Sequence, residues 1–316
     1  MTGRTVLPID SVLIIGFGGP TEPEHIMPFL RKVVEGRPVP EARLTEVAHH
    51  YEEVGGRSPY NELTEHQARA LAEWLTGRGR SLPVHVGMRN WHPFLPDTVR
   101  RMLDEGRRHA AGIILSAHRC DTSWERYMRD VQDALEGAGE GAPAVTYVPP
   151  WHDETGFLEA CAARIEQASG YARGRWPAGV PVIFTAHSIP ASMASGSPYV
   201  SDLETSCRGV ARILGLSDWQ IAYQSRSGDP RTPWLEPDIR EVLRERGARG
   251  IGEVVLQAIG FLCDHVEVLY DLDIEAASVC RELGIRYHRA PCVNAHPEFI
   301  AMLGRRVLAL EAGPVR

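Results

Sequence analysis

One pattern occurs twice in this chain, and it limits the folds open to it. Gly87-Met-Arg-Asn-Trp-His-Pro-Phe-Leu-Pro-Asp97 is echoed by Gln224-Ser-Arg-Ser-Gly-Asp-Pro-Arg-Thr-Pro-Trp-Leu-Glu-Pro-Asp238. In both, an arginine lies just past a short apolar run, Pro-Asp then opens a helical pattern, and the next apolar run begins about 15 residues on. Around the first copy, apolar runs bounded by turn residues stand at Ser11–Phe17, Pro83–Met88, Gly112–His118 and Ala144–Val148, with helical patterns at Leu44–Val54, Glu62–Leu75, Asp97–Gly106 and Ser123–Leu135. Around the second they stand at Val180–Ala186, Gln220–Gln224, Glu253–Ile259 and Ile285–His288. Short apolar runs of this kind read as buried parallel strands, and strand alternating with helix reads as layered α/β structure. The expectation is two similar domains, residues 1–150 and 151–316, each a four-stranded parallel sheet flanked by helices, joined near Pro149-Pro150.

Composition narrows the class. The chain has 316 residues, enough for two ordinary domains, and a net charge of −7 argues against a nucleic-acid binder held by phosphate contacts. No run approaches the ~20 apolar residues of a membrane span. Met1 to Pro8 lacks the apolar core of a signal peptide. The six cysteines form no C-x-x-C pair and read as reduced thiols, so a cytoplasmic location is expected.

A doubly wound four-stranded sheet with its second strand outside opens a crevice between strands one and three, at their carboxyl ends. In the second half those ends are Thr185-Ala-His-Ser-Ile-Pro190 and the turn at Gly260 that leads to Glu267. His187 and Glu267, 80 residues apart, are therefore expected to meet. The equivalent ends of the first half, Gly16-Phe-Gly-Gly19 and Ser116-Ala-His-Arg119, place Phe17 and His118 opposite them if the halves face each other. Trp91, Trp151 and Trp234 follow strand ends and suit the walls of a cleft for a flat apolar ligand, although such residues are more often plain packing. Gly16-Phe-Gly-Gly-Pro20 does not complete a dinucleotide fingerprint and reads as a tight turn.

One imidazole and one carboxylate are too few ligands for a structural zinc site. They suit a metal held loosely with open positions, or proton abstraction near neutral pH. Glu267, Asp271 and Glu275 are spaced i, i+4, i+8, one face of an α-helix. Like charges at that spacing cost an isolated helix roughly 0.2–0.5 kcal/mol a pair, which suggests a path for cations or protons; a solvated helix face is the plainer reading.

The chain resembles the ferrochelatases, nearest to the soluble coproporphyrin type. The resemblance rests on Gly16-Phe-Gly-Gly-Pro20, Gly55-Gly-Arg-Ser-Pro59, Thr185-Ala-His-Ser-Ile-Pro190, Gln224-Ser-Arg-Ser-Gly228, Pro233-Trp-Leu-Glu-Pro-Asp238, Gly260-Phe-Leu-Cys-Asp-His-Val-Glu-Val-Leu-Tyr-Asp271 and Asn294-Ala-His-Pro-Glu-Phe299, and runs in register from about residue 11 to residue 311. It implies two Rossmann-like domains with a porphyrin cleft between them and the insertion of Fe(II), a substrate, with release of two protons. It implies His187 and Glu267 as metal-side and catalytic residues, with Asp271 and Glu275 as a relay. Phe17, His50, Tyr51, Ser58, His118, Trp151, His152 and Trp234 are implied on the substrate side. Phe17 stands where many relatives carry a tyrosine. The C-terminal run Leu308–Arg316 has no cysteine, so no iron–sulfur cluster or other tight cofactor is expected. The charges of Arg31, Lys32, Glu35, Arg37, Glu41 and Arg43 argue against a lip that enters a bilayer. A monomer with transient contacts to neighbouring haem-pathway enzymes is expected, with coproporphyrin III favoured as substrate over protoporphyrin IX. The rivals are a chelatase for another tetrapyrrole or metal, a non-catalytic tetrapyrrole-binding protein and a nucleotide-binding α/β enzyme.

Overall fold

The computed structural model describes residues 7–227 and 231–311. Gly228, Asp229 and Pro230 of the second repeat, the first six residues and the last five lie outside the described residues, and with them part of the expectations on a signal peptide and on the C-terminal run.

In the first half β1 (Ser11–Gly16) leads through α1 (Ile26–Val33), α2 (Glu41–Glu53) and α3 (Tyr60–Thr76) to β2 (Val84–Met88). Then come α4 (Leu95–Asp104), β3 (His109–Ile114), a π-turn at Asp121–Glu125, α5 (Arg126–Ala138) and β4 (Ala144–Tyr147). After α6 (Thr155–Ser169), the second half runs β5 (Val182–His187), α7 (Ala191–Ser195), α8 (Tyr199–Leu214), β6 (Trp219–Gln224), α9 (Ile239–Ala248) and β7 (Glu253–Gln257). A helical run follows: α10 (Val266–Val268), a π-helix (Leu269–Ala276) and α11 (Ala277–Glu282). The chain closes with β8 (Arg286–Ala290) and α12 (Pro297–Glu311).

Both sheets are parallel and share one order, β2-β1-β3-β4 and β6-β5-β7-β8. The repeated sequence makes the same turn in each: Met88 N donates to Pro93 O and Tyr223 N to Pro237 O, at 2.7 and 2.8 Å. Successive strand residues point to opposite faces, so one strand feeds two cores. Val12 and Ile14 of β1 and Val182 and Phe184 of β5 enter a core shared by both sheets. Leu13 and Ile15 pack outward on α4 and α5, and Ile183 packs on the far side of its sheet with α9 and the π-helix.

The shared core is covered by α12, which lies on both α6 and α3. A Cβ on Gly304 would come within 2.3 Å of the Trp74 ring, so glycine lets the helix settle there. Arg306 donates to the carbonyls of Pro149 and Pro150 at 3.2 and 3.1 Å, and Arg80 pairs with Glu311. A division near Pro149-Pro150 thus separates the sheets and leaves the core undivided.

Two expectations are corrected. The third strand begins at His109 and ends at Ile114, because the Asp10 carboxylate accepts from Arg108 N and His109 N while Ser116 N turns back to Ile114 O. His118 therefore lies beyond the strand end. The carboxylate row sits largely on a π-helix, whose i→i+5 ladder widens the turn and changes the stagger expected of an α-helix.

Candidate active site

Between the two switch points lies a cavity of about 1340 Å³, lined on one side by Phe17, Tyr51 and Ser58 and on the other by His187, Trp234 and Glu267. The halves do face each other as their strand ends require, with His118 also among the lining residues.

His187 is the last residue of β5, and its carbonyl accepts from Tyr199 Oη at 2.9 Å. Its Nδ1 lies 2.5 Å from the Ser188 carbonyl oxygen, which can only accept. The proton of a neutral ring therefore sits on Nδ1, and Nε2 offers a lone pair. That Nε2 is 3.9 Å from Glu267 Oε2, and both side chains are partly open to the cavity.

Glu267 arrives by a different route. A Cβ on Gly260 would lie 2.5 Å from Ala186 Cβ and 2.7 Å from its Cα, so only glycine brings this turn against β5. The following loop is anchored by Asp264, which pairs with Arg289 and accepts from Asn294 Nδ2 at 2.7 Å. His265 then caps α10, its Nδ1 accepting from Glu267 N at 3.3 Å. Burial pushes the His265 pKa down, against the pull of Glu267, so the cap stays neutral.

Behind Glu267, Gln224 Nε2 donates to the Glu267 carbonyl at 3.1 Å and to Asp271 Oδ2 at 3.3 Å. Ser225, in the left-handed region at φ 60°, also donates to the Asp271 carboxylate. Burial outweighs these bonds and, with the charges of Glu267 and Glu275 adding, raises the Asp271 pKa to about 7. Glu275 is raised by burial too, and pairs with Arg240 at 3.2 Å. Asp271 and Glu275 thus stand behind the cavity wall.

The structure sorts the remaining candidates. Phe17 is 36% exposed and meets Phe29 edge-on; its N–H donates to Tyr60 Oη at 3.0 Å. Ser58 is held by Ser58 N donating to Pro20 O, and Tyr51 is buried in the cavity wall. His118 is 2% exposed, with Nε2 3.0 Å from Ser206 Oγ; burial first and the neighbouring His152 second push its pKa down to about 3.

Three expectations fail on position. Trp151 is fully buried away from the cavity, packed between Phe157 and Phe299 under α6 and α12, because the connection after β4 dives into the shared core. His152 turns to Asp202, with Nε2 3.5 Å from Oδ1, rather than to the cavity. His50 leaves the cavity to Tyr51, the next residue on α2, and stacks on Tyr270.

Sequence reasoning missed Tyr60, His265, Gln224 and Ser225. Gln224 and Ser225 stood in the repeated motif, and His265 lay within the segment carrying Glu267, but nothing in their spacing aimed them at Glu267 or Asp271. Trp91, like Trp151, is not among the residues lining the cavity; it packs on Phe29, which is, and against His25 and Phe94. Cys263 is buried, and burial pushes its thiol pKa up to about 12.

Comparisons with known proteins bear on the family and the fold. The ferrochelatase family model matches residues 10–310. The ferrochelatase of Rhodopirellula baltica is 42% identical over 94% of this chain and 84% of its own length. The coproporphyrin III ferrochelatase of Streptomyces coelicolor is 37% identical over 95% of this chain and 85% of its own. Among solved structures, the sirohydrochlorin chelatase SirB of Bacillus subtilis subspecies spizizenii, in complex with cobalt, superposes over 97% of both chains with a TM-score of 0.58 at 11% identity, a likeness of fold alone. A strand-end histidine and a carboxylate facing one cavity between twinned α/β halves, together with matches over nearly the whole chain, lead to one conclusion: the chain belongs to the ferrochelatase family.

Proposed function

We propose that this ferrochelatase inserts ferrous iron into coproporphyrin III, with His187 and Glu267 receiving the metal and the displaced protons. The approach of His187 Nε2 to Glu267 Oε2, at 3.9 Å across one open cavity, carries the reading. A flat porphyrin shields its nitrogens, so bending it exposes lone pairs to the incoming ion, and binding energy from the cavity walls must supply that strain. Phe17 and Trp234 are suited to press on the macrocycle. The Nε2 lone pair and the carboxylate accept protons leaving the pyrrole nitrogens, since neutral imidazole and carboxylate are both bases near pH 7. Asp271, with its pKa raised to about 7, is suited to take a proton from the Glu267 side and release it, with Glu275 further along the same helical run.

Two features favour the four-carboxylate porphyrin. Along the first-half wall, Arg89 and Arg126 share the single carboxylate of Asp130, at 3.0 and 2.9 Å, so two guanidinium groups stand among the lining residues where a propionate could meet them. The lip formed by α1 and α2 carries the exposed ion pairs Arg31–Glu41 and Arg43–Glu46, with Lys32–Glu35 among the residues lining the cavity, which suits water better than lipid. Among the described residues no helix is long and apolar enough to cross a membrane. The same reading takes iron as substrate without a resident cofactor or iron–sulfur cluster, and the enzyme as a cytoplasmic monomer in transient contact with its pathway neighbours.

The test is anaerobic turnover of ferrous iron with coproporphyrin III and with protoporphyrin IX, followed in the visible spectrum. The expected result is a higher kcat/KM for coproporphyrin III, by about tenfold or more. A preference for protoporphyrin IX would overturn the substrate assignment, and binding without insertion would favour a carrier.

A further inference from the structure

The lip is fastened to the second half at two points, and they bracket Glu267. Val266, one residue before it, sits in the small core of the lip beside Phe29, Leu44 and Tyr51. Three residues after it, Tyr270 meets His50 of α2 face to face, with ring centroids 3.7 Å apart and planes within 9°. Tyr270 is followed by Asp271 on the first turn of the π-helix.

On the lip side, His50 and Tyr51 are neighbours on α2 with divided tasks: Tyr51 enters the cavity wall while His50 turns to the π-helix. The ion pairs of α1 and α2 named above join lip residues to one another and do nothing to hold the lip down. The π-helix has a wide turn, so side-chain contacts matter for its placement. Gln224 and Ser225 fix it on the strand side through Asp271, and His50 meets it on the lip side.

We propose that His50 is a positioning residue for metal insertion: stacked on Tyr270, it couples the closed lip to the placement of Glu267 and Asp271. The inference rests on the reading of those two carboxylates as proton acceptors. A lip that swings away would take its hold on both Val266 and Tyr270 with it, leaving the bonds from Gln224, Ser225 and His265 alone to place the two carboxylates. Burial first, and the Arg43 guanidinium second, push the His50 pKa down. The ring is therefore uncharged near pH 7, and phenylalanine reproduces its shape in the stack.

The experiment is steady-state ferrous insertion by the wild type, His50→Ala, His50→Phe, Tyr270→Ala and the His50→Ala/Tyr270→Ala double variant, with porphyrin binding measured alongside. His50→Ala is expected to lower kcat about tenfold while the porphyrin Kd moves much less, since misplacing a catalytic group costs turnover rather than affinity. His50→Phe should recover at least about half of the wild-type kcat, Tyr270→Ala should match His50→Ala, and the double variant should be no slower than the worse single, as for two residues acting through one contact. An unchanged kcat in His50→Ala, a His50→Phe variant as slow as His50→Ala, or fully additive losses in the double variant would overturn the proposal. Wild-type turnover in both Glu267→Gln and Asp271→Asn would instead remove the reading beneath it.

Discussion

His187 meets the cavity with a lone pair because Ser188 O already claims its other nitrogen, and that local bond is what makes an ordinary strand-end histidine useful. Asp271 illustrates the opposite influence, burial winning over hydrogen bonds. Its folded-state pKa of about 7 stands above the ordinary carboxylate value of 3.8, so the folded protein holds a proton that the unfolded chain releases between those values. The proton favours folding fully below about pH 4, and that contribution is lost as pH rises through 7, on the order of a few kcal/mol. Asp271→Asn should therefore gain in Tm relative to the wild type as pH is raised from 5 to 8. A difference in Tm that stays constant over that range would contradict the shift. At this scale the sequence was a good guide to His187 and Glu267, because topology alone forces two strand ends together. It was a poor guide to Trp151 and His50, because a ring can turn into a core or onto a neighbour without any change in the pattern of letters.

The elements behave as their periodicity dictates where packing is regular and depart from it where the chain turns. All eight expected strands form: the central β1, β3 and β5 are apolar runs buried on both faces, while the edge strands β4 and β8 are half-buried or exposed along most of their length. Their ends shift by up to four residues, as at β3, where hydrogen bonds accepted by the Asp10 carboxylate decide the start and no hydrophobic signal marks it. The π-helix was not legible either: a spacing of four is what an α-helix needs, and the wider ladder emerges only with tertiary contacts around Asp271. The turn that carries Glu267 to His187 depends on Gly260 lying against Ala186. Gly260→Ala would force a Cβ within 2.5 Å of another, where nothing but backbone and a methyl group can yield. Overpacking of this kind costs about 1–3 kcal/mol, so Tm should fall on the order of 5 °C, with turnover falling too as Glu267 moves. A variant with unchanged Tm and turnover would show that the close approach is dispensable.

For the whole molecule, the duplicated sequence yields duplicated sheets but not independent bodies. Trp74, Gly304 and the Arg306 contacts lock the last helix over both halves, so the cleft opens between sheets whose inner faces share one core. The shared core lets two segments distant in sequence hold an imidazole and a carboxylate at 3.9 Å without a direct covalent brace. Charge on the lip and the Arg89–Asp130–Arg126 group then set the polar rim around an aromatic interior. The most direct test is anaerobic ferrous insertion into coproporphyrin III by the wild type, His187→Ala and Glu267→Gln, with porphyrin affinity measured on the same samples. The account predicts wild-type conversion of the free-base spectrum to that of the iron porphyrin, and a loss of about 100-fold or more in each variant with affinity largely kept. Insertion at the wild-type rate by either variant would contradict it.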